Sequence, residues 1–402
     1  MSDDVKKKDK KAPATESKWK FGRRDFLKGL ATVPVLGVFV YKVLGKMSYD
    51  NSRKDQILSE LGISKEAPAV IPKSIKKSNE KIRIGIIGFG GRGECLIRSS
   101  GFAHPDWIEE KRRAAQENNL DKSLETYLTQ DDLNVEITAV CDVFDIRAER
   151  GIAASQNEVR PGGNGQRLNG AKRYLHYQDL LNSKDVDAVI VATPDHWHAQ
   201  MSIDAIQAGK HVYCEKCMTR TESEALKLYD AVKGSTIKFQ VGHNNRQQES
   251  YIKAKEIVDK GILGPITLVE TTTNRNSPNG AWVYDIHEEG SPQTIDWDQF
   301  QGPAPHKVPF SPERFFRWRC WYDYGTGLSG DLLSHEYDAV NQILRIGIPH
   351  SVVASGGIYF FKDGRDVPDV FQAVLEYPDR NLTVIYSATL ASNSYRGKRF
   401  MG

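Results

Sequence analysis

Three groups of residues have types and spacings that could do chemistry. The first is Gly88-Phe89-Gly90-Gly91-Arg92-Gly93, which closes the apolar run 81–87 and opens a helix-prone segment. In such a strand–turn–helix context Gly88 permits the tight turn, Gly90 lets backbone approach a pyrophosphate, and Gly93 lets the helix pack on the strand. The anion would sit at the helix N-terminus, where free N–H groups and the helix dipole favour negative charge. The second is Lys216, just past the strand-like run 211–214, at the C-terminal end of a sheet strand, where open α/β sheets bind ligands. The third is Asp331 and His335, four residues apart and so on one face of a helix. An ordinary imidazole titrates near ~6.5 and suits proton transfer at neutral pH, and Asp331 could orient it or contact a substrate hydroxyl. Oxidising a secondary alcohol needs a hydride acceptor, a base for the hydroxyl proton and a cation near the developing alkoxide. The three groups offer a candidate for each.

The elements that must position these residues read as alternating strands and helices. Runs 135–141, 186–194, 211–214 and 237–241 are strand-like, with helical stretches at 198–208 and 221–233. The alternation predicts a doubly wound parallel sheet. Asp142 ends the second strand, where an acid accepts hydrogen bonds from ribose hydroxyls and repels a 2′-phosphate, favouring NAD over NADP. It lies 49 residues beyond Gly93, with a charged, helix-prone insertion around 107–133 between them. The assignment therefore rests on strand order. After Asn244 the period changes to long alternating strands (352–361, 370–377, 382–389), which predicts a second domain with an open, mainly antiparallel sheet.

The motifs from Ala192-Thr193-Pro194-Asp195-His196-Trp197-His198 to Glu215-Lys216-Cys217, with Asp331-Leu332-Leu333-Ser334-His335, resemble the glucose–fructose oxidoreductase/inositol dehydrogenase/MocA (Gfo/Idh/MocA) family over residues 81 to about 402. The resemblance implies a Rossmann domain followed by an α+β domain, with Thr193, Pro194, His196, His198, Glu215 and Lys216 against the nicotinamide of NAD. It also implies that Lys216 hydrogen-bonds the substrate hydroxyl, that the substrate is a sugar or cyclitol, and that the protein is a homo-oligomer. Cys217 stands where the family has Pro. Because a cis bond before a non-proline residue costs ~2.5–4 kcal/mol, a trans Lys216–Cys217 bond is expected. In the stretch 314–325, Trp318, Trp321 and Tyr324 could offer flat faces to sugar C–H groups or simply pack a core. Asn244 joins them as a substrate-contact candidate. Cys214 and Cys217 form a C-x-x-C with no second pair, which argues against zinc, and no metal site is expected.

The chain has 402 residues, 27% of them charged and 39% hydrophobic, an ordinary globular balance. Residues 1–28 hold ten Lys/Arg against five Asp/Glu, and the remainder 45 against 47. A near-neutral body with one basic end gives no nucleic-acid footprint. Gly22-Arg23-Arg24-Asp25-Phe26-Leu27-Lys28, followed by 13 residues lying between Lys28 and Lys42, resembles a twin-arginine export signal. The apolar run is shorter than the ~20 residues of a spanning helix, so it is a signal region or an N-terminal membrane tether. The expected organisation is signal or tether (1–45), arm or linker (46–80), NAD(P)-binding domain (81–243) and substrate/oligomerisation domain (244–402), the last shorter than in relatives. Twin-arginine machinery exports folded proteins, so the resemblance implies a periplasmic protein that carries its cofactor. Two other functions share these motifs: glycoside cleavage through transient oxidation at C3, and sugar binding without catalysis.

Overall fold

The computed structural model describes residues 80–394 and 397–402; the export-like segment 1–45 and, save Glu80, the arm 46–80 lie outside them. The first sheet contains β1 (Ile82–Ile87), β2 (Val135–Cys141), β3 (Lys172–Arg173), β4 (Ala188–Val191), β5 (His211–Cys214) and β6 (Phe239–Val241). All neighbours are parallel, in the order β3-β2-β1-β4-β5-β6. The strand order therefore reverses between β1 and β4, which opens a crevice at their carboxyl ends.

Side chains alternate across a strand, and this sheet buries both sets. On one face Ile86, Ile137, Val140 and Ile190 pack with Ile97 of α1 (Gly91–Ser99) and with Ala148 and Ala154. The two alanines lie beyond the insertion helices α2 (Pro105–Glu117) and α3 (Ser123–Thr129), in α4 (Asp145–Gln156). On the other face Ile87, Ala139, Cys141, Val189 and Val191 meet Met201 and Ala205 of α5 (Asp195–Gln207) and Leu228 of α6 (Glu222–Lys233). Strands covered on both sides need continuous apolar sequence, which Ala188–Val191 supplies. The charged insertion seats Ile108 and Tyr127 beside Ala103 and leaves most of its other residues exposed or half-buried.

The second sheet has the order β11-β7-β10-β9-β8, with β7 (Leu268–Asn274), β8 (Ser351–Gly357), β9 (Val370–Tyr377), β10 (Leu382–Thr389) and β11 (Lys398–Met401). Only β7 and β10 run parallel; the other pairs are antiparallel. In β10 the alternate residues Leu382, Val384, Tyr386 and Ala388 are buried. They join Trp282, Phe300, Phe315, Tyr324 and Val340 in one core, each large side chain contributing roughly 1.5–3 kcal/mol by leaving water. Val340 belongs to α8 (Ser334–Leu344), which packs beside α7 (Glu249–Asp259). β8 ends at Gly357, short of the expected 361. The buried Asp369 carboxylate accepts the N–H groups of Tyr359, Phe360 and Phe361 at 2.8, 2.8 and 2.6 Å and curls the chain out of the ladder.

Candidate active site

The carboxyl ends of β1, β4 and β5 open on a cleft of about 600 Å³, closed on its far side by residues of the second sheet's layer. At one end lies the glycine turn. Gly88 has φ +87°, and a Cβ there would stand 2.8 Å from the Ala192 carbonyl oxygen; a Cβ on Gly93 would stand 2.3 Å from that of Gly88. Only glycine fits either place. The Gly90 that caps α1 provides no side-chain acceptor, so the first N–H groups of the helix remain free for an anion. Beside them the buried Thr193 Oγ1 has no partner among the described residues. A cradle that excludes side chains, free helix N–H groups and an orphaned hydroxyl fit the pyrophosphate of a dinucleotide. Gly90, Gly91, Arg92, Thr193 and Pro194 line the cleft. Phe89 and Gly93 act behind it, Phe89 packing in the core.

Asp142 also lines the cleft, and it braces the turn: Oδ2 accepts from the Phe89 N–H at 2.6 Å and Oδ1 from the Phe144 N–H at 2.8 Å. Each carboxylate oxygen keeps a further lone pair, enough for ribose hydroxyls. Burial raises the Asp142 carboxyl above its ordinary value, and Arg147 opposes that shift. Arg147, which the sequence did not single out, lies between 5.2 and 5.8 Å from the rings of Phe144, Phe315 and Phe316.

Lys216, which also lines the cleft, follows β5. Its Nζ donates to the Asp331 carbonyl oxygen at 2.8 Å and to Asp331 Oδ1 at 2.5 Å. Arg319 Nε donates to that same Oδ1 at 3.2 Å. Burial would lift the Asp331 carboxyl, but Arg319 and Lys216 override it and hold it well below the usual carboxylate range. Asp331 does not share a regular helix face with His335: it sits in a π-helical turn, Leu328–Leu333, that leads into α8. The wider turn delivers its carboxylate to the two cations. Of the two roles open to Asp331, orienting His335 or contacting a substrate hydroxyl, the first has no hydrogen bond behind it: His335 Nδ1 is buried without a partner among the described residues. Burial, reinforced by Lys216, lowers the His335 pKa to about 4, so at neutral pH the ring is uncharged and able to accept a proton. The Lys216–Cys217 peptide is cis, not trans as expected; the Cys217 carbonyl oxygen lies 2.6 Å from His198 Nδ1, and its thiol donates to the Gly330 carbonyl at 2.6 Å.

The remaining candidates divide. Glu215 lines the cleft and accepts from Arg92 Nε at 2.7 Å. His198 also borders it but spans two carbonyls, Thr193 at 2.8 Å and Cys217 at 2.6 Å, and so ties two strand-end turns together. His196 is off the cleft: its Nε2 donates to the Phe300 carbonyl at 2.8 Å, its N–H to the Tyr324 carbonyl, and burial drives its pKa down to about 3. Trp318 and Asn244 face the cleft. Trp321 and Tyr324 do not; they pack in the core, Tyr324 fully buried against Phe300. Cleft residues the sequence did not reveal include Arg275, Trp282, Tyr284 and Arg319. Arg319 lay inside the aromatic stretch 314–325, but its irregular short turns gave no period to tell which side chains face inward. Arg275 directly follows a strand, a weak signal with no motif around it.

Comparison with known proteins gives matches over both sheets. Residues 82–243 match the family described as oxidoreductase family, NAD-binding Rossmann fold. Residues 248–353 match its C-terminal alpha/beta domain, and the two matches together span two thirds of the chain. Levoglucosan dehydrogenase from Pseudarthrobacter phenanthrenivorans is 30% identical over 192 residues, 45% of this chain and 41% of that protein. Glycosyl hydrolase family 109 protein 1 from Shewanella sp. (strain MR-4) is 26% identical over 219 residues, 52% of this chain and 40% of that protein. The matched stretches thus span less than half the length of these curated relatives. Among solved structures, the WlbA dehydrogenase from Bordetella pertussis in complex with NADH and UDP-GlcNAcA superposes with a TM-score of 0.55 at 18% identity, covering 80% of this chain and 77% of that one.

Proposed function

Because the chain belongs to the Gfo/Idh/MocA family of NAD-binding oxidoreductases, we propose that it moves a hydride between a tightly held nicotinamide cofactor and a secondary alcohol of a sugar or cyclitol. The observation that carries this reading is that Lys216 and an uncharged His335 line the same cleft as the glycine cradle. When bound, NAD supplies the hydride acceptor. Of the three N–H groups on Lys216, two are held by Asp331. The third is left for the substrate oxygen, where it steadies the alkoxide as the proton leaves. His335 takes that proton. Asp331 and Arg319 keep the ammonium aimed.

Glycoside cleavage by transient oxidation is the second reading, favoured by the similarity to the family 109 glycosyl hydrolase. Both use the same residues, so the products separate them. Incubation with a panel of free sugars, cyclitols and glycosides, following nicotinamide absorbance and released reducing sugar, tests both. Absorbance change with free polyols supports the dehydrogenase. Reducing sugar released without net absorbance change replaces it with the hydrolase.

The location we propose is the periplasm, reached through the twin-arginine machinery by way of the Arg23-Arg24 segment, with the apolar run 29–41 as signal or tether. A reporter fused behind residues 1–45 and exported only when Arg23 and Arg24 are intact would support this. Equal export of an Arg23→Lys, Arg24→Lys pair would reject it.

A further inference from the structure

The cleft is lined by two arginines with guanidinium nitrogens that none of its carboxylates answers by a hydrogen bond. Lys216 and Arg319 both donate to Oδ1 of Asp331, so a single buried carboxylate serves two cations. Only Nε of Arg319 is used; among the described residues its two terminal nitrogens make no hydrogen bond. Its guanidinium sits 4.1 Å from the centre of the Trp318 ring, and 26% of its side chain is open, beside the cleft it lines.

Arg275 adds a third cation. It stands one residue past β7, its N–H donating to the Thr389 carbonyl at 2.9 Å and its carbonyl accepting from Ser392 at 3.2 Å, so its backbone is fixed. Its stem packs against Gly280, where a Cβ would come within 3.0 Å of the Arg275 Cβ. Arg275 lines the cleft, and its guanidinium makes no hydrogen bond or ion pair among the described residues. It is close enough to His335 to be one of the charges that lower that ring's pKa. The other acids on the cleft leave Arg275 without a partner: Glu215 is taken by Arg92, Asp285 is exposed to solvent, and Asp195, which accepts from the Thr326 hydroxyl at 2.6 Å, acts on Arg319 and Lys216 instead.

We infer that the substrate carries an acidic group, a carboxylate or phosphate ester on a sugar, which Arg275 and Arg319 hold while the hydroxyl to be oxidised meets Lys216 and His335. Two guanidinium groups with open forks match the planar or tetrahedral oxygens of such a group, and charge-assisted hydrogen bonds are the strong kind. A neutral sugar would leave the Arg275 guanidinium and the two terminal nitrogens of Arg319 without an anionic partner, a strong basis for rejecting it. The assignment of the reacting hydroxyl rests on the dehydrogenase reading above; the charge of the ligand does not.

The test is calorimetric titration of the full chain loaded with NADH, using matched ligands: glucuronate against glucose, galacturonate against galactose, and glucose 6-phosphate. The acidic partner is expected to bind about 10- to 100-fold more tightly, with an advantage that shrinks as salt rises. Arg275→Gln should remove most of that advantage and Arg275→Lys restore part of it, while both variants still bind NADH and so are folded. Preference for the uronates alone identifies the group as a carboxylate, and preference for glucose 6-phosphate alone as a phosphate ester. Equal binding within every pair, or an advantage untouched in Arg275→Gln, overturns the inference. Selective binding of acids without any nicotinamide absorbance change would leave the inference standing and reject the dehydrogenase. Turnover of neutral sugars as efficient as that of their acids would do the reverse.

Discussion

In the proposed reaction Lys216 and His335 divide the work on one oxygen, and the division is measurable. Lys216→Ala and His335→Ala should each lower kcat by about 10²-fold or more, with NAD affinity little changed because the cradle at the other end is untouched. Fluorescence titration with NADH beside steady-state kinetics separates the two effects, and near-normal turnover would remove the residue from the mechanism. The pH profile follows from the burial of His335. With its pKa near 4, the ring is an unprotonated base at every pH above that value and is lost as pH falls through it. The acid limb of kcat/KM should therefore lie near 4 rather than at the ~6.5 of a free imidazole. Asp331 is one influence holding that value up, so Asp331→Asn should move the limb further down. It should also lower the melting temperature, since Lys216 and Arg319 lose their shared counter-charge. A limb near 6.5 in the parent protein would mean that the ring is solvated.

Asp142 ends β2, supports the turn through the Phe89 N–H and stands beside Arg147. Asp142→Ala leaves the Arg147 cation unopposed near the ribose position, so affinity for NADP should rise relative to NAD by about tenfold or more. Competitive binding of the two dinucleotides checks it; an unchanged ratio would confine Asp142 to bracing the turn. Much of this end was legible in the sequence, because the glycine turn, the alternating elements and the strand-end acid each follow from local geometry. Legibility failed where tertiary contacts decide. Asp331 and His335 are four apart, but the π-helical turn breaks the expected helix face. Tyr324 and Trp321 have the composition of a sugar platform, yet they point into the aromatic core with Phe300 and Phe315. His196 belongs to a recognised motif, yet serves as a buried bolt to the Phe300 carbonyl. Nothing in residue type distinguishes a ring that faces a cleft from one that faces a core.

For the whole molecule, the proposed export and the cofactor chemistry constrain each other. Free nicotinamide dinucleotide is not expected outside the cytoplasm, so a periplasmic dehydrogenase that released NADH would stop after one turnover. We therefore expect protein purified without added cofactor to carry NAD(H), and deletion of residues 47–80 to weaken its retention. Denaturing the pure protein and assaying the supernatant for nicotinamide decides the first point. An empty, folded enzyme that needs millimolar free NAD would sink it. A homo-oligomer is expected as well, and light scattering would report it. The buried bolt has its own consequence. His196 rises from the N-terminal end of α5 yet bonds to the Tyr324 and Phe300 carbonyls of the other layer. Arg220 reaches the Asp323 carbonyl at 2.9 Å, and Lys216 reaches Asp331. Neither sheet can lose its order without stripping partners from the other, so residues 80–402 should melt cooperatively. A single calorimetric peak, with van't Hoff and calorimetric enthalpies in agreement, is the expected result, and two resolved peaks would show that the halves unfold independently.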